Sequence, residues 1–210
     1  FKNNNLKILN LYCTSYVKAY SFKKQLVSKD YLYFIDIGFE RSSSFIFNDS
    51  KIEFFKSIPI GGNNITKDIS KILKLSIEYS EDLKIKFNRS ENDISFIKNS
   101  TNEINPFSET IEKNISIDLL KQIIVARLDE IIELSILDSA SIKNLNSLSK
   151  HKLIITGGGS LLLPNNYNLS INKIFSELVS YDENDLLVCE TGLDYHKSNE
   201  RLNIKTKEKS

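Results

Sequence analysis

Methionine is missing from this chain altogether, as is tryptophan. A sequence that starts Phe1-Lys2-Asn3 with no methionine is expected to be a fragment or a processed product of something longer. Cysteine is limited to Cys13 and Cys189, which show neither metal-ligand spacing nor a pairing pattern. A reduced compartment is therefore the default, and a structural disulfide is not expected. The two histidines, His151 and His196, have no catalytic partners in sequence and read as surface residues. Arginine is confined to Arg41, Arg89, Arg127 and Arg201, while lysine, asparagine and isoleucine abound. That is the bias of an AT-rich coding sequence and carries no functional meaning. A net charge of +1 removes any global pull toward nucleic acid or anionic lipid, and no basic, aromatic-interleaved patch compensates. No nucleic-acid partner is expected. No run approaches the roughly 18 to 20 apolar residues of a membrane span, no internal repeat is present, and a signal peptide is not expected.

What is there has the profile of a globular protein: 210 residues, 40% hydrophobic and 26% charged, enough for one large domain or two small ones. Two glycine motifs stand out. Tyr33-Phe34-Ile35-Asp36-Ile37-Gly38 is an apolar run ending in an acid and a glycine, and Leu153-Ile154-Ile155-Thr156-Gly157-Gly158-Gly159-Ser160 is a second run ending in three glycines. Each reads as a buried strand stopped at a tight turn, where backbone amides can come close to a ligand. Turns of this kind at the carboxyl ends of strands are where α/β folds place phosphates and nucleosides.

The spacing predicts a helix over 11–27 with Tyr12, Tyr16, Ala19 and Tyr20 on one packing side, then a strand over 31–37. Two more strands follow over 44–48 and 51–58, turning at Asn48-Asp49-Ser50. Asp36-Ile37-Gly38 therefore opens a β-meander, which excludes the strand-to-helix turn of a dinucleotide-binding fold. Gly61-Gly62 breaks the chain before a helix carrying Ile65, Ile69, Ile72 and Leu73, with Asn63 or Asn64 able to cap its start. A helix over 76–87 carries Glu81 and Lys84, and 88–115 is polar apart from a short strand near Ile94–Ile97. The clearest helix is 116–137, opened by Ser116 and apolar at Leu119, Leu120, Ile123, Ile124, Leu128, Ile131 and Ile132; Asp129, Glu130 and Glu133 read as its solvated face. After a polar connection at 138–150 come the second glycine motif, a loop at 164–168, a short element at 171–179 and a helix at 186–195. The charged segment 197–210 is expected to be a disordered tail.

Ile58-Pro59-Ile60-Gly61-Gly62, Ile65-Thr66-Lys67-Asp68-Ile69 and Glu81-Asp82-Leu83-Lys84, set in order between the two glycine motifs, resemble the actin/Hsp70/sugar-kinase superfamily. Within it they are most similar to the bacterial cell-division actin homologue FtsA, over roughly residues 6–195. The resemblance implies an α/β, actin/Hsp70-like (ribonuclease H-like) fold with nucleotide between two halves. Residues 1–30 would end the first half, 31–196 would form the second half, and about 86–130 would be its small subdomain. The first phosphate loop would precede residue 1, and the amphipathic membrane helix that ends family members is expected to lie outside this chain.

For the site, the resemblance implies that ATP and Mg²⁺ are bound, with Asp36 holding Mg²⁺ through water and Gly38 and Ser42 in the second phosphate loop. Glu81 and Lys84 would contact ribose and adenine, and Gly157, Gly158, Gly159 and Ser160 would form the adenosine loop. Bland readings stand beside these: Asp36 as a turn cap, Glu81–Lys84 as a surface ion pair worth about 0.2 to 0.5 kcal/mol, the glycines as a turn without ligand. Gly61 and Gly62 read as structural first. The sequence departs from its family at Phe39, Glu40 and Arg41, where small residues and a threonine are the pattern. Bulky side chains there restrict amide access to phosphate; Glu40 would repel it and Arg41 attract it. ATP hydrolysis is accordingly expected to be weak or absent. The implied role is to bind FtsZ, to self-associate into filaments and to link FtsZ to the cytoplasmic face of the inner membrane at the septum. The alternatives are a PilM-like pilus assembly scaffold and a sugar-kinase or Hsp70-type ATPase, the latter disfavoured by Phe39 and Glu40.

Overall fold

The computed structural model describes residues 8, 10–25, 31–48, 51–89, 115–137, 151–164, 175, 177–180 and 185–207. The strand expected near 94–97, the connection at 138–150 and the loop at 165–168 lie outside these. The chain divides into two compact units, Asp30–Asp182 and a second formed by Phe1–Lys29 with Glu183–Ser210.

The larger unit is built on a five-stranded sheet. Strands β1 (Tyr31–Ile37), β2 (Ser42–Asn48) and β3 (Lys51–Ile58) form the expected antiparallel meander. β4 (His151–Thr156) and β5 (Glu177–Ser180) run parallel to β1, in the order β3-β2-β1-β4-β5. β1 is central and buried on both faces, as its unbroken apolar sequence requires. Strand alternation sorts its side chains. Tyr33, Ile35 and Ile37 join Leu153 and Ile155 of β4 in the main core, while Leu32, Phe34 and Asp36 alternate with them on the other face. On that other face Phe45 packs against Phe34, Phe47 and Phe55 with ring centroids 4.8 to 6.3 Å apart.

Three helices supply the rest of the core: α2 (Gly62–Leu73), α3 (Ile77–Arg89) and α4 (Ile117–Ile132), the last running into a π-helical turn at Glu133–Leu137. Ser116 caps α4 by accepting from the Leu119 amide at 3.2 Å. Leu120, Ile123, Ile124, Leu128, Ile131 and Ile132 are its buried stripe, whereas Leu119, expected on that face, is exposed; Asp129, Glu130 and Glu133 are exposed as expected. Each position of Ile65-Thr66-Lys67-Asp68-Ile69 has its own task. Ile65 and Ile69 are core, Lys67 is exposed, Thr66 reaches α3, and Asp68 accepts two hydrogen bonds from the Arg127 guanidinium of α4 at 2.5 and 3.0 Å. Donating those hydrogen bonds to Asp68 holds the Arg127 pKa above its ordinary value.

In the smaller unit α1 (Thr14–Gln25) packs on α5 (Asp185–Lys207). Tyr12, Tyr16 and Tyr20 surround Tyr195 in edge-on contacts of 5.3, 5.5 and 4.9 Å, the packing role expected of them. Two expectations are corrected. α5 continues to Lys207 where the sequence reads as a disordered tail, because extending a formed helix fixes one residue per added bond, a small cost beside nucleation. His151, read as a surface residue, is buried at the start of β4 with its ring 5.6 and 5.7 Å from those of Tyr31 and Tyr33.

Candidate functional site

The two glycine motifs, 120 residues apart in sequence, end side by side. β1 and β4 pair in parallel with Asp36 opposite Thr156, so both strands deliver their glycine turns to the same edge of the sheet. Here the neighbours of β1 change from antiparallel β2 to parallel β4, a switch in topology of the kind that opens a crevice in α/β folds. Gly157 makes the junction possible. Its φ of 89° and ψ of 164° lie in a region open essentially to glycine alone, and a Cβ there would stand 2.4 Å from the Ile37 carbonyl oxygen. A 3₁₀ turn, Gly158–Leu162, follows.

A cleft of about 170 Å³ opens at this edge, lined by Gly38, Phe39, Gly62, Glu81, Lys84, Ile85, Gly158, Gly159 and Leu162. Of the residues expected in a ligand site, Gly38, Glu81, Lys84, Gly158 and Gly159 are thus brought together. The expected Asp36, Ser42, Gly157 and Ser160 are not among the lining residues, and for the three with side chains the reason is physical. Asp36 falls by strand alternation on the face opposite Ile35 and Ile37, is 7% exposed, and has Oδ1 only 2.7 Å from where a Gly157 Cβ would lie. Ser42 is 1% exposed and donates to the Ile60 carbonyl at 2.7 Å. Ser160 is fully buried and donates to the Gly157 carbonyl at 2.8 Å. Both hydroxyls hold the turns rather than face the cleft.

Glu81 and Lys84 are not a surface pair. Lys84 is 7% exposed, and its ammonium spends its three donors on the Gly62 carbonyl (3.2 Å), the Thr66 hydroxyl (2.9 Å) and Glu81 Oε2 (2.7 Å). Thr66 also donates to Glu81 Oε2 through a short hydrogen bond. The network ties α3 to the first turn of α2. Burial pushes the Glu81 pKa up, but hydrogen bonds from Lys84 and Thr66, with the Lys84 charge, outweigh it and hold the carboxyl below its usual range. A depressed carboxyl contributes stability that is present above its unfolded value of about 4.3 and is lost as pH falls through the lower folded value. Urea unfolding midpoints should therefore drop more steeply below about pH 4.3 in the native chain than in Glu81→Gln; parallel acid limbs for the two would remove this role.

Thr66, Gly62, Ile85, Leu162 and Phe39 are participants that the sequence reading did not place in the site. Gly61 and Gly62 were read as structural first, and for Gly61 that is what the geometry shows. A Cβ on Gly61 would lie 2.5 Å from the Gly38 carbonyl oxygen and 2.6 Å from that of Phe39. Those carbonyls accept from the amides of Gly62 (2.9 Å) and Asn63 (2.8 Å), while Asn64 Oδ1 takes the Gly61 amide at 3.0 Å. Glu40 accepts from the Asn63 side chain at 2.8 Å. The N-terminus of α2, an anion site when its amides are free, is thus filled by the β1–β2 turn. No group of three or more His, Cys, Asp or Glu residues among the described residues could hold a metal ion. The first amides of α2 are not available to a phosphate at this wall.

Solved structures share this fold. MreB5 of Spiroplasma citri bound to AMPPNP matches with a TM-score of 0.59 and 16% identity, over 98% of this chain and 64% of that one. A PilM–PilN type IV pilus biogenesis complex matches with a TM-score of 0.51 and 15% identity, over 89% of this chain and 46% of that one. The ethanolamine utilization protein EutJ from Carboxydothermus hydrogenoformans matches with a TM-score of 0.51 and 17% identity, over 87% of this chain and 53% of that one. The chain thus spans about half to two thirds of the proteins it superposes on, and the architecture is actin-like. A search of curated proteins returned no match. The family model for cell division protein FtsA matches residues 33–173.

Proposed function

Because the chain belongs to the FtsA family of cell division proteins, we propose that it is the second-half portion of an actin-like division protein that binds an adenine nucleotide, self-associates and links FtsZ to the cytoplasmic face of the membrane during septum formation. In this reading residues 1–30 end the first half, 31–196 form the second, and 86–130 the small subdomain that meets FtsZ. The supporting observation is the convergence of Gly38, Glu81, Lys84, Gly158 and Gly159 on one cleft at the carboxyl ends of β1 and β4. Glu81 Oε2 is committed to Thr66 and Lys84, which leaves Oε1 as the acceptor for ribose hydroxyls. Gly158 and Gly159 give a flat wall for the base. No helix among the described residues is long and apolar enough to cross a bilayer.

Gly158 offers a clean test, because a Cβ there meets nothing within 4 Å. Gly158→Leu should keep the native unfolding midpoint and weaken ATP binding at least about tenfold in calorimetric titration, one factor of ten being about 1.4 kcal/mol. Unchanged ATP affinity, or no ATP binding by the native chain, would remove the cleft from the reading. The PilM-like alternative uses the same fold, so cosedimentation of the full-length protein with FtsZ filaments separates the two.

A further inference from the structure

The cleft has a wall where the superfamily pattern has small residues, and that wall is an aromatic ring. Phe39 is 57% exposed, lines the cleft, and stands with its ring centroid 5.5 Å from the Lys84 ammonium. The backbone beneath the ring is held at the cleft, because the Phe39 carbonyl accepts from the Asn63 amide and the neighbouring Gly38 carbonyl from the Gly62 amide. Among the described residues at this wall, Arg41 is the cation opposite Glu40, and the other donors are already engaged. Lys84 has no donor to spare. The first amides of α2 are occupied, and the charged side chains of the turn and its cleft, Glu40 and Glu81 against Arg41 and Lys84, leave no excess of positive charge.

Resting on the nucleotide reading above, we infer that Phe39 is the specificity determinant of this cleft, closing its phosphate side so that the site takes the nucleoside moiety and gains nothing from β- and γ-phosphates. Adenosine, AMP and ATP are then equivalent ligands here, and Mg²⁺ adds nothing to any of them. Phe39→Gly opens the phosphate side at an exposed position, so the fold is retained.

The test is calorimetric titration of the 210-residue chain and of Phe39→Gly with adenosine, AMP and ATP, each with and without Mg²⁺, with circular dichroism melts as the folding control. The native chain should bind the three ligands within about threefold of one another, and Phe39→Gly should raise the ATP-to-adenosine affinity ratio at least about tenfold. A native chain that prefers ATP over adenosine by tenfold or more overturns the inference while leaving the cleft intact, as does a ratio that Phe39→Gly does not move. Absence of binding by all three ligands rejects the nucleotide reading itself and the inference with it.

Discussion

Gly157→Ala should cost about 3 to 5 kcal/mol of stability, enough to place it among the exceptional single substitutions. Two effects add. The φ,ψ region that Gly157 occupies is strained by about 1 to 3 kcal/mol for any residue with a Cβ. The new methyl would also sit 2.4 Å from the Ile37 carbonyl oxygen, 2.8 Å from its carbon and 2.7 Å from Asp36 Oδ1, and two of those three atoms are backbone that cannot rotate away. Relief requires the ends of β1 and β4 to part. Urea denaturation should show a midpoint lowered by about 1 to 5 M, given a slope of about 1 to 3 kcal/mol/M. Gly158→Ala, one residue on, is the matched control and should be nearly silent, because its Cβ points into open space. A loss below about 1 kcal/mol in Gly157→Ala would show that the turn relaxes freely.

Lys84→Met should cost about 2 kcal/mol. The substitution keeps the stem of the side chain and removes the ammonium, which leaves the Gly62 carbonyl, the Thr66 hydroxyl and Glu81 Oε2 each short of a donor. Breaking a fully buried ion pair costs about 3 to 5 kcal/mol; the partial exposure of Glu81, 31% for its side chain, lowers the figure because water can reach the carboxylate. Adding Glu81→Gln to Lys84→Met should recover part of the loss, since an amide needs less than a carboxylate. A single-variant loss under about 0.5 kcal/mol would return the pair to the rank of an ordinary surface contact.

The sequence was legible wherever a local rule decided the outcome. β1 and β4 are apolar runs ended by glycine, the meander follows its turn residues, and Ser116 caps α4 as a serine at that position should. The motif Ile65-Thr66-Lys67-Asp68-Ile69 was legible as a helix, but its polar partners were not. Thr66 answers to Glu81 and Lys84 fifteen and eighteen residues on, and Asp68 to Arg127 fifty-nine residues on, and no periodicity encodes such pairings. Hydroxyl direction was equally hidden. Ser42 and Ser160 stand next to glycine motifs in sequence, yet one turns to the Ile60 carbonyl and the other to its own turn, because buried hydroxyls go where an acceptor lies unsatisfied. Asp36 shows the reverse lesson. Its position at a strand end was clear, and simple alternation along β1 already assigns it to the face away from α3.

The register of β1 against β4 also governs when the cleft can exist. β1, β2 and β3 join through short turns, whereas Tyr31 meets His151 across 120 residues of chain. Closing a loop costs about 0.6 kcal/mol of entropy more for each doubling of its length, and pairings so distant are the slow ones in folding. The meander can therefore form on a growing or newly released chain while both glycine turns remain far apart. The ligand wall comes into being only with the last and longest closure, so its presence reports that the whole of the larger unit has folded.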